Sequence, residues 1–467
     1  MKKLVFFAVL FTLTATALFA DLTEGLYIGA WGRGSFVPLW YETVAQEFGQ
    51  PSDRNIDMEP IKKNGTGSTW DPNSMPRIDF RIMGFSDHVG FAVHSNTEFI
   101  GGLGNGEMGA HLWVKPFGND WVKLLVANQY TEDTLRGKVS TDTGFENFVL
   151  GKSMLSLKGG IEPLNQDVIF NRFGGGRGSI SASNPSNTST HLGSPLSNVF
   201  FLSSSPIEGL FVGLMLQGML PEIEPKETWR QVHVGAGYEI ANVGHVRAQF
   251  IGGFMGEESE DEAGSYKTNE PSKIEAAFAY TGTENLVIDL GLKFWTPITT
   301  FAGQTHFRGI DIGLGAAYMA ELGPGKLNIA FMGQVQNIAG YTVQNAHTAD
   351  NDKGKDSLKL AFNLIPSYSL DFGTLGLSFL IHTITPATGP DGNEIEATKA
   401  PSIGPFTQWG IGVFYQLGFA KGSLKVGVTY TPAPIETGIP RGETELRTGM
   451  NGRDTITIPI ILEYAFF

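Results

Sequence analysis

The stretch from Asp454 to Phe467 places Ile456, Ile458, Ile460, Leu462, Tyr464 and Phe466 in one phase of a two-residue repeat. Thr455, Thr457, Pro459 and Glu463 take most of the other phase. A period of two is strand geometry, because successive side chains leave a strand on opposite faces. A strand that is apolar on one face and runs out on aromatic residues fits a sheet whose apolar face meets hydrocarbon and whose rings lie at the interface.

The same repeat returns throughout the chain. Leu424, Val426, Val428 and Tyr430 oppose Lys425, Gly427, Thr429 and Thr431, and Trp409, Ile411, Val413, Tyr415 and Leu417 oppose Gln408, Gly410, Gly412 and Gln416. Leu375, Leu377, Phe379 and Ile381 alternate with Gly376, Ser378 and His382, and Leu358, Leu360, Phe362 and Leu364 with Lys359, Ala361 and Asn363. Ile310 to Tyr318 and Leu286 to Phe294 repeat the pattern around Asp311, Gly313 and Gly315 and around Asp289, Gly291 and Lys293. Helical spacing would mix these sets.

The connections also alternate. Tight turns at Ser86-Asp87, Gly118 to Asp120, Asn242 to Gly244, Gly282 to Asn285, Gly323 to Gly325 and Asp371 to Gly373 carry hairpin punctuation. Between them run long polar segments: Val37 to Pro76, Glu132 to Pro195, Gly256 to Pro271, Gly340 to Asp356, Pro386 to Pro405 and Pro432 to Arg453. Short turns on one rim and long loops on the other predict an all-β fold: a transmembrane antiparallel up-and-down β-barrel with periplasmic turns and extracellular loops. The count comes to about 18 strands, with 16 as the alternative because Met75 to Phe85 and Ser197 to Ser203 are weakly patterned. A soluble sandwich or propeller would alternate too, but no blade-length motif repeats here.

Lys2 and Lys3, then an uncharged run from Leu4 to Ala20 ending on a small residue, read as a signal peptide over 1–20, leaving 21–467 as the barrel. Beyond that run there is no uncharged apolar stretch of helix-spanning length, so a membrane crossing would have to be a closed barrel. With no cysteine, a disulfide framework is excluded, while 60 glycines and a mean hydropathy of -0.04 suit strands that are half polar. The net charge of -14, which falls by two to -16 without Lys2 and Lys3, argues against nucleic acid. The acidic run Glu257, Glu258, Glu260, Asp261 and Glu262 reads as a solvated loop.

On the apparent signal peptide, the hairpin rhythm and the aromatic terminal strand, the chain resembles a porin-type bacterial outer-membrane protein. That resemblance implies the outer membrane of a Gram-negative (diderm) bacterium, contact with its lipids, and recognition by barrel-assembly machinery through the strand ending Phe466, Phe467. In the usual pattern the final residue shares the lipid-facing phase; here Phe466 does and Phe467 is one step off. General porins form homotrimers, though the alternation carries no interface signal.

The inward phase is expected to line a wet lumen with Arg33, Arg81, Lys115, Lys123, Arg247, Asp289, Lys293, Asp311, Lys359 and Lys425. Each such charge could instead neutralise a neighbour, as Asp289 and Lys293 could across one strand face. Segment 132–195 is long and carries an apolar-rich piece from Phe145 to Leu157 that needs burial. The porin resemblance implies that such a loop folds inward as a constriction, where Arg136, Lys138, Arg172 and Arg177 would form a basic eyelet. A loop folded outside, or two extra strands, is the alternative.

Enzyme signals are poor. No HExxH and no GxSxG occur, and Gly151-Lys152-Ser153 lacks the upstream glycine of a phosphate loop, position 146 being Glu. Gly104 to Gly109 matches GxGxxG, but strand alternation follows it where a helix is required. No catalytic residue, metal or cofactor is implied. The expectation is a porin passing small hydrophilic solutes by diffusion. The alternatives are a fatty-acid-type transporter, which would need an N-terminal hatch where strand pattern already begins at Leu26, and a surface adhesin built on the long loops.

Overall fold

A computed structural model of the chain describes residues 25–42, 77–98, 106–130, 145–146, 196–217, 231–253, 255–261, 264–269, 272–299, 305–307, 309–343, 353–355, 358–385, 406–419, 421–431 and 455–466. In chain order the strands are β1 (Leu26–Glu42), β2 (Arg77–Phe85), β3 (Val89–Glu98), β4 (Gly106–Val114), β5 (Lys123–Tyr130), β6 (Leu196–Ser204), β7 (Leu210–Gln217), β8 (Gln231–Ile240), β9 (Gly244–Gly253), β10 (Met255–Asp261), β11 (Gly264–Asn269) and β12 (Lys273–Thr283). There follow β13 (Leu286–Trp295), β14 (Ile298–Thr299), β15 (Thr305–Phe307), β16 (Ile310–Leu322), β17 (Gly325–Ile338), β18 (Tyr341–Val343), β19 (Lys353–Lys355), β20 (Lys359–Leu370), β21 (Gly373–Ile384), β22 (Phe406–Phe419), β23 (Gly422–Thr431) and β24 (Thr455–Phe466).

Among the described residues, 18 of these strands form one antiparallel sheet. Each pairs with two neighbours, sequential barrel strands pairing with one another, and β1 pairs with β24 from Ala30↔Phe466 to Glu42↔Thr455. The sheet therefore closes on itself and leaves no edge, which is how strands satisfy their backbone in hydrocarbon. The strand number is the 18 that the alternation predicts.

The two faces invert the usual arrangement of a soluble protein. Outside, Phe91, Leu112, Val126, Val234, Phe250, Ile274, Leu314, Leu377, Val413 and Val428 are all exposed. Inside, Lys123, Arg247, Gln249, Lys273, Glu275, Asp289, Lys293 and Asp311 are buried. An apolar band this continuous on a surface calls for an apolar solvent.

The rims differ as the spacing predicts. At one rim the turns are short, as at 284–285, 323–324 and 371–372. Gly323 (φ 58°) and Asn242 (φ 61°) supply the left-handed backbone two of them need. Tyrosines clamp this rim from neighbouring strands: Tyr368 Oη donates to the Leu322 carbonyl at 2.6 Å, and Tyr415 Oη donates to the Phe372 carbonyl. With Phe419 stacked on Tyr464 (6.1 Å), they form the aromatic girdle of a membrane interface, while Tyr27 stacked on Phe85 (5.3 Å) lies on the inner face beside Trp113.

Three local expectations are corrected, and one weakly patterned strand is borne out. The first strand does not end at Val37 but reaches Glu42, with a register shift between Phe36 and Leu39. Pro38 cannot donate to the ladder, and the bulge steps past it before pairing resumes. The acidic run is not a bare loop over its described residues 257–261, because β10 pairs with β11 and sets Glu258 opposite Lys267. The long segment after Gly340 likewise contributes β18 and β19 to a small sheet with β14 and β15. Finally, β6 is a full barrel strand; its alternation is faint because Phe200 and Leu202 face out while Val199 and Phe201 are buried facing in.

Glycines on the inner face make room for rings. A Cβ on Gly376 would overlap the Phe414 ring, itself buried on the adjacent strand. Gly376→Val is therefore expected to cost about 1–3 kcal/mol by overpacking. The shift of the urea unfolding midpoint of lipid-refolded protein measures it.

Candidate functional site

Register defines the inner wall, since residues directly opposite one another across antiparallel strands share a face. One unbroken row runs Lys123↔Ser203↔Gly213↔Gly235↔Gln249↔Glu275↔Lys293↔Asp311 across eight strands. Lys123 opens β5 at the short-turn rim, whereas Asp311 lies one residue into β16 at the long-loop rim. Strands tilt in a barrel, so a row perpendicular to them climbs from one mouth to the other.

The upper part of the row is a compensated charge belt. Glu275 takes a 3.1 Å ion pair from Lys273 Nζ and a 2.7 Å hydrogen bond from Gln249 Nε2. Trp295 Nε1 donates to Asp311 Oδ2 at 2.9 Å, and the Asn337 amide donates to Asp311 Oδ1 at 3.0 Å. The ammonium groups of Lys273 and Lys293 lie 5.0 and 5.6 Å from the centre of the Trp295 ring, within cation–π reach. Lys293 faces Glu275 and Asp311 across the ladder, so its register neighbours are these two rather than Asp289 on its own strand.

The lower part differs in chemistry. Trp113, Leu125, Ala127, Val199, Phe201 and Met215 form an apolar cluster on the inner face of β4 to β7. Phe145 completes it, 0% exposed, with its ring 6.3 Å from Phe201 and edge-on to it. A Cβ on Gly213 would overlap this ring, and one on Gly235 would meet it at 3.1 Å, so the two glycines form the recess that holds it. Beside it, Lys123 Nζ makes a 2.9 Å hydrogen-bonded ion pair with Glu146 Oε2, both side chains 0% exposed. Trp113 lies under the same ammonium at 5.5 Å.

Of the residues singled out from sequence, Arg81, Lys123, Arg247, Asp289, Lys293, Asp311 and Lys425 lie on the inner register of the sheet. Arg33 occupies the register position opposite Arg77 and Glu463, and Lys359 that opposite Gln336 and Ile384. Lys115 lies one residue past the end of β4, in the turn, ion-paired with Asp120 at 2.6 Å and with its ammonium 5.1 Å from the centre of the Trp113 ring. Arg136, Lys138, Arg172 and Arg177 lie outside the described residues, as do residues 1–20 and Phe467. Sequence reasoning missed Lys273, Glu275, Gln249, Phe145 and Glu146. For the first two the signal was there, in the inner phase of Lys273 to Thr283; Glu146 carried none, its partner being set only by the fold.

No family model and no curated protein matches the chain. Solved structures do. OccK2 (OpdF) of Pseudomonas aeruginosa superposes with a TM-score of 0.43 at 9% identity, covering 94% of this chain and 97% of that one. OpdL of the same organism gives 0.45 at 10%, covering 96% and 99%. An anion-selective porin from Comamonas acidovorans gives 0.42 at 12%, covering 94% and 100%. By its own strand pairing, apolar exterior and charged inner wall, the chain has the architecture of a porin-type outer-membrane β-barrel.

Proposed function

We propose that the protein is a passive diffusion channel of the bacterial outer membrane, passing small hydrophilic solutes down their gradients. The observation that carries this reading is the inversion of the barrel: lysine, arginine and carboxylate side chains face inward from a sheet whose exterior is apolar. A fatty-acid-type transporter would be expected to offer an apolar route, whereas the row from Gln249 to Asp311 is polar throughout. Selection in such a pore comes from width and lining charge at its narrowest point, and no side chain needs to react.

Segment 132–195 is the constriction element in this reading. Its support is the burial of Phe145 and Glu146 against the inner wall. Lys123 and Tyr130 are the two ends of β5, roughly 24 Å apart at about 3.4 Å per residue, and the chain past Tyr130 returns to the level of Lys123 by Glu146. Arg136, Lys138, Arg172 and Arg177 belong to this segment and would make a basic eyelet, favouring anions or neutral polar solutes.

Planar-bilayer recording of purified protein is expected to give stable, weakly selective conductance steps. Replacing the four basic residues with glutamine is expected to shift the reversal potential in a salt gradient toward cations. An unchanged anion-to-cation ratio removes the eyelet, and insertion without conductance but with fatty-acid binding replaces the channel by a transporter.

A further inference from the structure

We propose that Phe145 and Glu146 form a two-part latch on the inner wall near the short-turn rim, and that Glu146 cancels the charge of Lys123 there. The inference deepens the channel reading and rests on it. Its two halves are chemically distinct. Phe145 is an apolar tenon: its ring occupies the recess left by Gly213 and Gly235 and completes the cluster of Leu125, Phe201 and Met215. Without a ring there, that cluster would be an apolar patch facing a wet lumen.

Glu146 is the electrostatic half. A lysine at this position on the inner row would present a positive charge to every passing solute, and the 2.9 Å pair with Glu146 removes it. Both partners have lost contact with water, so the charge of each is compensated by the other and not by solvent. The latch closes the lower end of the polar row, because Gly213 and Gly235 are the members of that row lying between Ser203 and Gln249. A residue of the loop thereby sets the effective charge of a residue of the wall. Glu146 is a specificity-determining residue on this account, and Phe145 is its positioning residue.

Bilayer recording of the full-length protein under a salt gradient tests the latch. Glu146→Gln is expected to raise single-channel conductance roughly twofold as the latch loosens, and to move selectivity toward anions. Lys123→Gln is expected to move selectivity the opposite way, and the exchange Lys123→Glu with Glu146→Lys to restore the parent's behaviour. A purely structural pair would not yield shifts of opposite sign. Phe145→Ala and Gly213→Val displace Glu146 without deleting its charge and are expected to raise conductance and to move selectivity the same way as Glu146→Gln, by less. Conductance and reversal potential equal to the parent's in all of these variants overturn the proposal.

A second measurement does not depend on conduction. The chain has no cysteine, so Phe145→Cys with Gly213→Cys gives a pair whose oxidation is unambiguous. The Phe145 ring carbon nearest its Cβ is already in contact with the Cβ position of residue 213, which brings the two Cβ atoms to within about the 3.5–4.5 Å a disulfide spans. Cross-linking of the folded barrel, seen as a gel-mobility shift reversed by reductant, is expected. Its absence overturns the latch whether or not the pore conducts. Cross-linking in a barrel that never conducts overturns the channel reading and leaves the latch standing.

Discussion

Val413→Arg is expected to destabilise the barrel by about 2–4 kcal/mol, the cost of a cation on a lipid-facing strand near the bilayer midplane. Val413 is 46% exposed near the middle of β22, and its register partners Leu377 and Val428 are exposed and apolar as well. Around it there is only hydrocarbon to solvate a guanidinium. In a water-soluble sheet the same change at a half-exposed position would fall within about 0.5 kcal/mol, because surface substitutions rarely matter. Val413→Leu is the control and is expected to behave like the parent. Urea titration of protein refolded into phospholipid vesicles measures both. A Val413→Arg midpoint matching the parent would mean that this face meets water.

Glu275→Leu is expected to be costlier, at about 3–5 kcal/mol, because it breaks a buried pair by removing one partner only. Glu275 is 0% exposed and accepts from both Lys273 Nζ and Gln249 Nε2. Its loss leaves the Lys273 ammonium, Lys293 opposite and the Gln249 amide around an apolar side chain. The double variant Lys273→Met with Glu275→Leu is expected to recover much of the deficit, since it deletes charge on both sides. The comparison needs equal denaturant slopes, so that midpoints report stability rather than a changed unfolded state. Equal losses in the single and double variants would show that the two side chains are not coupled.

Much of the barrel is legible from residues alone, and β13, β16, β22 and β24 show why. Each meets hydrocarbon on one face and the lumen on the other, so two solvents of opposite character write a two-residue period directly into the chain. The pattern fades wherever a strand's inner face meets protein instead of water. β6 is the clearest case: Val199 and Phe201 turn inward, toward the cluster Phe145 completes, and apolar residues then fill both phases. β1 hides its length for a different reason, because Pro38 looks like a stop until the bulge carries the ladder past it.

The candidate site divides in the same way. That Lys123, Arg247, Asp289, Lys293 and Asp311 share the inner face follows from their phase within each strand, which is local information. Which charges meet is set by register and closure. Glu275 faces Lys293 because β12 and β13 pair at that offset, and Glu146 finds Lys123 because the chain returns to the foot of β5. Alternation and turn chemistry act over a few residues, so the barrel, a count of about 18 strands and the two unequal rims can be read along the chain. That Phe145 and Glu146 settle on the wall emerges only on folding, because it depends on a glycine recess and a lysine brought together by strands far apart in the chain.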